Sequence, residues 1–322
     1  MFDSLPNLIT SHDYYTRSFN TFLQATDKGL SSKVWLAENI AKLVEKKEEL
    51  SVLSVGCGNG EIDLHLIRNT LLSLCQNITY HALEPNPNRF TAFTEAIDSS
   101  FTATQVELEN SLQFIVPNIT FQLFQTKFED FTLPTTIQNY DLVLCIHSMY
   151  FVRPLTPSLR RMIDFLTPST GLLVIDNASP GGTCQFPLLA GIKSADGYTL
   201  TSTNILQTIY SLYPLDIDFR SSWAPRLLSR HSLVQANLYN TFIDVSCILK
   251  EESTEMDAQA ELLLAFFAKK VLTTATEQQK AILRNLLRSM SVKGPDNRWL
   301  FWNANCFITF KTPAQLLKYD SN

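Results

Sequence analysis

The residues with the most specific chemistry lie in one short run, Val52-Leu53-Ser54-Val55-Gly56-Cys57-Gly58-Asn59-Gly60-Glu61. A β-rich apolar stretch ends in three alternating glycines, and helical spacing resumes from Glu61 to Leu74 through Ile62, Leu66, Ile67 and Leu71. Glycine lets the backbone turn tightly and approach a ligand closely, and a helix that begins there offers unpaired N–H groups. A nucleoside-bearing ligand fits such a turn. Glu84 closes the next apolar run, Tyr80-His81-Ala82-Leu83-Glu84-Pro85, where a carboxylate can accept hydrogen bonds from both ribose hydroxyls. Dinucleotide-binding folds carry G-x-G-x-x-G at this point; here the spacing is G-x-G-x-G, and Glu61 occupies the sixth position.

A further apolar run, Asp141 to Ile146, leads into His147 and Tyr150. His147 could hydrogen-bond a substrate, act as a base, or be satisfied within the fold. The ring of Tyr150 could face a bound cation or pack beneath neighbouring chain. Tyr15 and Phe19 share one helical face, which suits either an aromatic lid or ordinary core. Asn303 can both donate and accept.

The elements that must position these residues alternate. Two helices, 12–28 and 33–47, precede Val52. Strands at Ile78–Leu83, Ile119–Phe124, Tyr140–Ile146 and Leu172–Ile175 are separated by helices at Asn88–Ile97 and Leu159–Leu166, the pattern of a doubly wound parallel sheet covered on both faces. After Ala178 the spacing predicts a loop at Pro180-Gly181-Gly182, helices at Ser202–Leu212, Glu255–Val271 and Thr276–Met290, and strands at Leu215–Trp223 and Asn305–Phe310. The expected organisation is an N-terminal helical lid (1–50), an α/β core (51–225), a helical cap insertion (226–298), and a last core strand with a tail (299–322).

Composition narrows the function. With 322 residues, 45% of them hydrophobic, the chain can bury one large or two modest cores. Its first residues have no basic and apolar leader pattern, and no run reaches the roughly 18 apolar residues of a membrane span, so a soluble, cytoplasmic protein is expected. The six cysteines form no C-x-x-C pair and the five histidines no closely spaced pair, which predicts reduced thiols and no metal site. A net charge of −5 without a basic cluster argues against nucleic acid and for a small-molecule substrate.

The G-x-G-x-G turn with Glu84 resembles motif I of class I S-adenosylmethionine-dependent methyltransferases. Ser11 to Leu23, Gly60-Glu61-Ile62-Asp63-Leu64, Glu84-Pro85, Asp141 to Val152 and Leu300-Phe301-Trp302-Asn303 together resemble the histamine N-methyltransferase family. The resemblance implies a Rossmann-like methyltransferase core with a smaller substrate cap, acting as a monomer on a ring nitrogen of an imidazole. Gly56, Gly58, Gly60, Glu84 and Ile146 would bind S-adenosylmethionine. Tyr15, Phe19, His147, Tyr150 and Asn303 would line the acceptor, with Tyr150 and His147 nearest the reaction. The chain departs from the family at His147 and Arg89, each in place of glutamine, at Phe151 in a tyrosine pair, and at Lys127 in place of serine. Lys28 stands where the family has the acid that grips an ammonium group, with Asp27 adjacent, so Lys28 is expected to draw a carboxylate-bearing acceptor. An O-methyltransferase using His147 as base and a non-catalytic S-adenosylmethionine-binding protein are the alternatives.

Overall fold

The computed structural model describes residues 1–192, 200–213, 234–249, 256–294 and 296–311. In chain order the elements are α1 (His12–Ala25), α2 (Lys28–Leu43), β1 (Glu49–Val55), α3 (Glu61–Asn69), β2 (Asn77–Leu83), α4 (Pro87–Ser100), β3 (Thr104–Leu108), β4 (Ser111–Val116), β5 (Ile119–Phe124), β6 (Leu142–Ile146), α5 (Leu155–Asp164) and β7 (Leu172–Ala178). They continue with α6 (Gln185–Leu189), α7 (Ser202–Leu212), β8 (Val234–Asp244), α8 (Ser246–Leu249), α9 (Ala258–Ala268), α10 (Glu277–Ser289), β9 (Ser291–Lys293) and β10 (Trp299–Lys311). Two compact units result: a larger one of Ser32–Asn177, Asn204–Asn237 and Cys306–Asn322, and a smaller one of Met1–Ser31, Ala178–Thr203 and Leu238–Asn305.

The larger unit holds the strands in the order β3-β4-β5-β2-β1-β6-β7, followed by the part of β10 from Cys306 on. Strands β5, β2, β1, β6 and β7 run parallel, and β4 and β3 extend one edge antiparallel. Val52, Leu53, Tyr80, Leu142, Val143, Leu144 and the run Leu172–Ile175 are all buried, as parallel strands covered on both faces must be. On α5, Leu159, Met162 and Ile163 form the buried stripe, and Trp35 of α2 stacks on Phe307 of β10 at 4.1 Å between ring centroids. The fold is a doubly wound, Rossmann-like α/β sheet. Its order reverses between β1 and β6, and ligands of open α/β sheets bind outside the carboxyl ends of the strands at such a reversal.

Sequence periodicity misses the hairpin of β3 and β4. All five β3 residues are exposed, so no apolar alternation marks the strand. The range 226–298, expected to be helical, carries β8 and β9 as well as α8, α9 and α10. The strand expected at Leu215–Trp223 lies outside the described residues.

At the opposite end of β1 and β6, Asp141 ties the sheet together. One carboxylate oxygen accepts from Ser51 N and Ser51 Oγ, each at 2.9 Å; the other accepts from Thr167 Oγ1 at 2.9 Å and pairs with Lys47 Nζ at 2.6 Å. Burial alone would raise the Asp141 pKa, but the Lys47 and Ser51 donors together outweigh it and hold the carboxyl below its ordinary value. Asp141→Ala is expected to lower unfolding stability by about 2–4 kcal/mol, because Ser51 N–H loses its buried acceptor; Lys47, being half-exposed, contributes little of this. Since the folded pKa is depressed, the contribution is present above the unfolded carboxylate pKa and fades as pH falls through the folded one. Urea unfolding of wild type and variant, in step with pH, measures both effects.

The smaller unit packs α1 on α9. Phe22 stacks on Phe266 at 4.2 Å and Phe19 meets the same ring at 5.9 Å, while Leu263, Leu264 and Phe267 are fully buried. Buried Lys270 donates to Leu5 O at 3.0 Å and to Asn7 Oδ1 at 2.9 Å, fixing the N-terminal segment. A reciprocal cap between Thr276 and Gln279 opens α10. Strand β9 pairs antiparallel with β10, and β8 lies on the other side of β10. Among the described residues no helix is long and apolar enough to cross a membrane.

Candidate functional site

The loop from β1 to α3 is a cradle shaped by its three glycines. Gly56, Gly58 and Gly60 have φ of +68°, +64° and +71°, the left-handed region that side chains disfavour. A Cβ on Gly56 would lie 2.5 Å from Ser148 Cβ, and one on Gly60 would lie 2.0 Å from the ring of Phe93. Gly56 N and Cys57 N donate to Leu83 O at 2.8 and 3.1 Å, which brings the end of β2 under the loop. Helix α3 starts immediately after Gly60, directing its first N–H groups at the turn. Buried Asp63 on α3 accepts from Tyr80 Oη at 2.6 Å, and burial pushes its carboxyl pKa up.

Glu84 closes the cradle from the end of β2. It is buried, one carboxylate oxygen accepting from Gly58 N and the other from Asn86 N, both at 2.8 Å. A carboxylate has about four acceptor positions, so two remain for a ligand. Asn86 also caps α4, accepting from Asn88 N and Arg89 N, with Pro87 following in the first turn. The Arg89 guanidinium is 3.6 Å from where a Cβ on Gly58 would sit. Burial, then the carboxylates of Asp63 and Glu84, push the Cys57 thiol well above its ordinary pKa, so the loop carries a neutral thiol.

Across the reversal, β6 ends at Ile146, in register with Asp176 of β7. His147 follows with φ of +53°, and its N–H donates to Asp176 O at 2.8 Å. Its Nε2 lies 2.9 Å from Asp176 Oδ2 and 3.2 Å from Ser32 Oγ; Ser32 Oγ donates to the same Oδ2 at 2.7 Å. Ser148 Oγ donates to Val55 O at 2.5 Å, joining this segment to the end of β1 beside the glycines. Tyr150 lies in a single turn, Met149–Phe151, with its half-buried ring edge-on to Phe151 at 4.8 Å.

A family model described as a methyltransferase domain matches residues 32–221, which include the whole glycine cradle, Glu84 and the β6 end. The chain belongs to this methyltransferase family. Among curated relatives it is similar to histamine N-methyltransferase of Bos taurus, 24% identical over 180 residues, and of Cavia porcellus, 24% identical over 191 residues. These alignments cover 54% and 58% of this chain and 59% and 62% of the relatives, so the chain spans about three fifths of their length. Among solved structures it is similar to the YcgJ protein of Bacillus subtilis, with 13% identity, 86% of this chain and 97% of that one covered, and a TM-score of 0.48.

The methyl donor of this methyltransferase family is S-adenosylmethionine, and the cradle fits it. The glycines give room for close backbone approach, and the two remaining acceptor positions of Glu84 match the two hydroxyls of a ribose. Gly56, Gly58, Gly60, Glu84, Ile146, His147 and Tyr150 all belong to the larger unit, while Tyr15, Phe19, Asn303 and the backbone of Lys28 belong to the smaller one. Tyr15 stacks on Phe19 at 6.0 Å, and Phe19 packs against Phe22 and Phe266. Asn303 is buried; its Oδ1 accepts from Thr183 N and Oγ1 at 3.2 Å each, and its Nδ2 donates to Thr241 Oγ1 at 3.4 Å. The Lys28 side chain lies outside the described residues. Among the described residues no group of three or more His, Cys, Asp or Glu side chains is arranged to hold a metal ion. Sequence reasoning passed over Asp176 and Ser32; an acid at the carboxyl end of the apolar run Leu172–Ile175 was the available signal for the first.

Proposed function

We propose that the protein transfers a methyl group from S-adenosylmethionine to a nitrogen of a small imidazole- or amine-bearing metabolite. The observation that supports this reading is the joint of Ser148 with Val55, which ties the segment that carries His147 and Tyr150 to the end of β1 where the glycine cradle begins. The names of the curated relatives, histamine N-methyltransferases, support a nitrogen acceptor.

The donor supplies an electrophilic methyl on a sulfonium. Methyl transfer is an in-line displacement, so the chain's own task is to hold the acceptor's lone pair about 3 Å from that methyl and to exclude water. An uncharged amine or imidazole nitrogen attacks without a strong base, and positioning by Tyr150 and His147 then matters most. The His147–Asp176 contact favours a second reading, O-methylation, because a hydroxyl acceptor needs a base.

A metabolite extract incubated with the protein and labelled S-adenosylmethionine, followed by mass analysis of the labelled product, tests the proposal. Label on an amine or ring nitrogen is the expected result; label on oxygen alone selects the second reading, and none from any pool overturns both. Tyr150→Ala is expected to lower turnover roughly tenfold while leaving cofactor affinity within about twofold, since Tyr150 follows β6 rather than the ribose side of the cradle. A lower melting temperature with an unchanged rate per folded molecule would assign Tyr150 to packing alone.

A further inference from the structure

We propose that the cavity between α3 and α4 is a second ligand site, which takes a small organic anion, a phosphate or carboxylate carrying an apolar group, between Lys33 and Arg68. The cavity measures about 390 Å³, large enough for a small molecule, and opens to solvent. Asn59 and Glu61, on either side of Gly60, form part of its wall, whereas Gly56, Gly58 and Glu84 do not line it. The site is therefore separate from the cofactor cradle and does not depend on how that cradle is read. Helix α3 supplies Glu61, Leu64, His65, Arg68 and Asn69, spaced i, i+3, i+4, i+7 and i+8, so all five fall on one face. Helix α4 supplies Ala92 and Ala96, one turn apart, whose small side chains leave the space between the helices unfilled, and α2 supplies Lys33.

The charge around this cavity favours an anion. Its cations are Lys33 and Arg68 and its one acid is Glu61, so positive charge is in excess here in a chain whose net charge is −5. Glu61 pairs with Lys33 at 2.5 Å, and an ammonium group has three hydrogens to donate, so the pair does not exhaust it. The Arg68 guanidinium is held over the Phe101 ring, 5.1 Å from its centre, an attraction that needs no hydrogen-bond acceptor and leaves the N–H fork to a phosphate or carboxylate. His65 senses the local field: burial first, then the Lys33 ammonium, hold its imidazole below the ordinary pKa against the opposing pull of Glu61. Buried Leu64 and half-buried Ala92 and Ala96 make the rest of the lining apolar. A ligand charged at one end and apolar at the other satisfies both parts.

Phenyl phosphate is the probe, and the readout is the histidine NMR signals of the whole protein, with His65 assigned by its loss in His65→Gln. Binding should raise the pH at which His65 titrates, since a neighbouring anion favours the imidazolium. It should saturate, be about tenfold tighter than for inorganic phosphate because of the apolar lining, and persist in saturating S-adenosylhomocysteine. Lys33→Ala and Arg68→Gln should each weaken it about fivefold, and Ala96→Leu, which fills the cavity, should reduce phenyl phosphate to the affinity of inorganic phosphate. The two charge variants keep the test open should Ala96→Leu fail to fold. A His65 titration that phenyl phosphate leaves unmoved overturns the proposal, as does undiminished binding in both charge variants. Equal affinity for phenyl phosphate and inorganic phosphate overturns the ligand class, and displacement by S-adenosylhomocysteine puts the probe in the cradle and overturns the second site.

Discussion

Replacing Glu84 by alanine is expected to weaken binding of S-adenosylmethionine and S-adenosylhomocysteine by on the order of 100-fold or more. Two charge-assisted hydrogen bonds to the ribose, at about 1.5 kcal/mol or more each, amount to roughly 3 kcal/mol, which is two powers of ten in affinity. The substitution also strips Gly58 N and Asn86 N of their acceptor, so the loop and the cap of α4 loosen together. Glu84→Gln keeps one acceptor oxygen and should lose about half of that free energy. Calorimetric titration with both ligands measures the series, with NAD as a control that should not bind. Undiminished affinity in folded Glu84→Ala would remove Glu84 from the cofactor site, and NAD binding by wild type would overturn the choice of S-adenosylmethionine as its ligand.

Gly60→Ala is expected to destabilise the larger unit by about 2–4 kcal/mol. Left-handed backbone costs an alanine about 1 kcal/mol, and a methyl 2.0 Å from the fully buried Phe93 ring forces overpacking that costs about 1–3 kcal/mol more. Gly58→Ala is the contrasting variant. Its φ of +64° carries the same conformational cost, but the nearest atom to its Cβ is the movable Arg89 Nη1 at 3.6 Å, so about 1 kcal/mol is expected. Chemical denaturation of the two variants side by side separates backbone strain from steric exclusion. Equal losses would mean that Phe93 moves aside at little cost and that only φ matters.

The contrast between Gly60 and Phe93 also marks what a sequence reader can see. Three glycines at alternate positions after an apolar strand have few other uses, and Glu84 stands at the end of the next strand, so the cradle was legible from local chemistry alone. The sheet was legible for the same reason wherever strands are buried on both faces, as at Leu142–Ile146 and Leu172–Ile175. The exposed β3 left no such mark. Ser32 and Asp176 are 144 positions apart in the chain and meet only because α2 and β7 pack together, which no spacing records. Tyr15 and Phe19 show the opposite difficulty: their shared face was plain, but the pattern reads alike for a lid and for the ring cluster that they form with Phe22 and Phe266. Asn303 was chosen for what its amide can do, and the bonds it makes to Thr183 and Thr241 depend on residues 120 and 62 positions away.

The make-up of the smaller unit sets a timetable for the protein's synthesis. Lys270 meets Leu5 across 265 positions and Tyr14 meets Glu261 across 247, so the first helix leaves the ribosome long before its partners exist. At about 5–20 residues per second, those partners follow roughly 13–50 s later. The parallel strands β1 and β2 can meanwhile pair, since only the glycine loop, α3 and a short turn lie between Val55 and Asn77. During that interval Phe19 and Phe22 have no Phe266 to cover them, so the apolar face of α1 stays open to other contacts until α9 has been made.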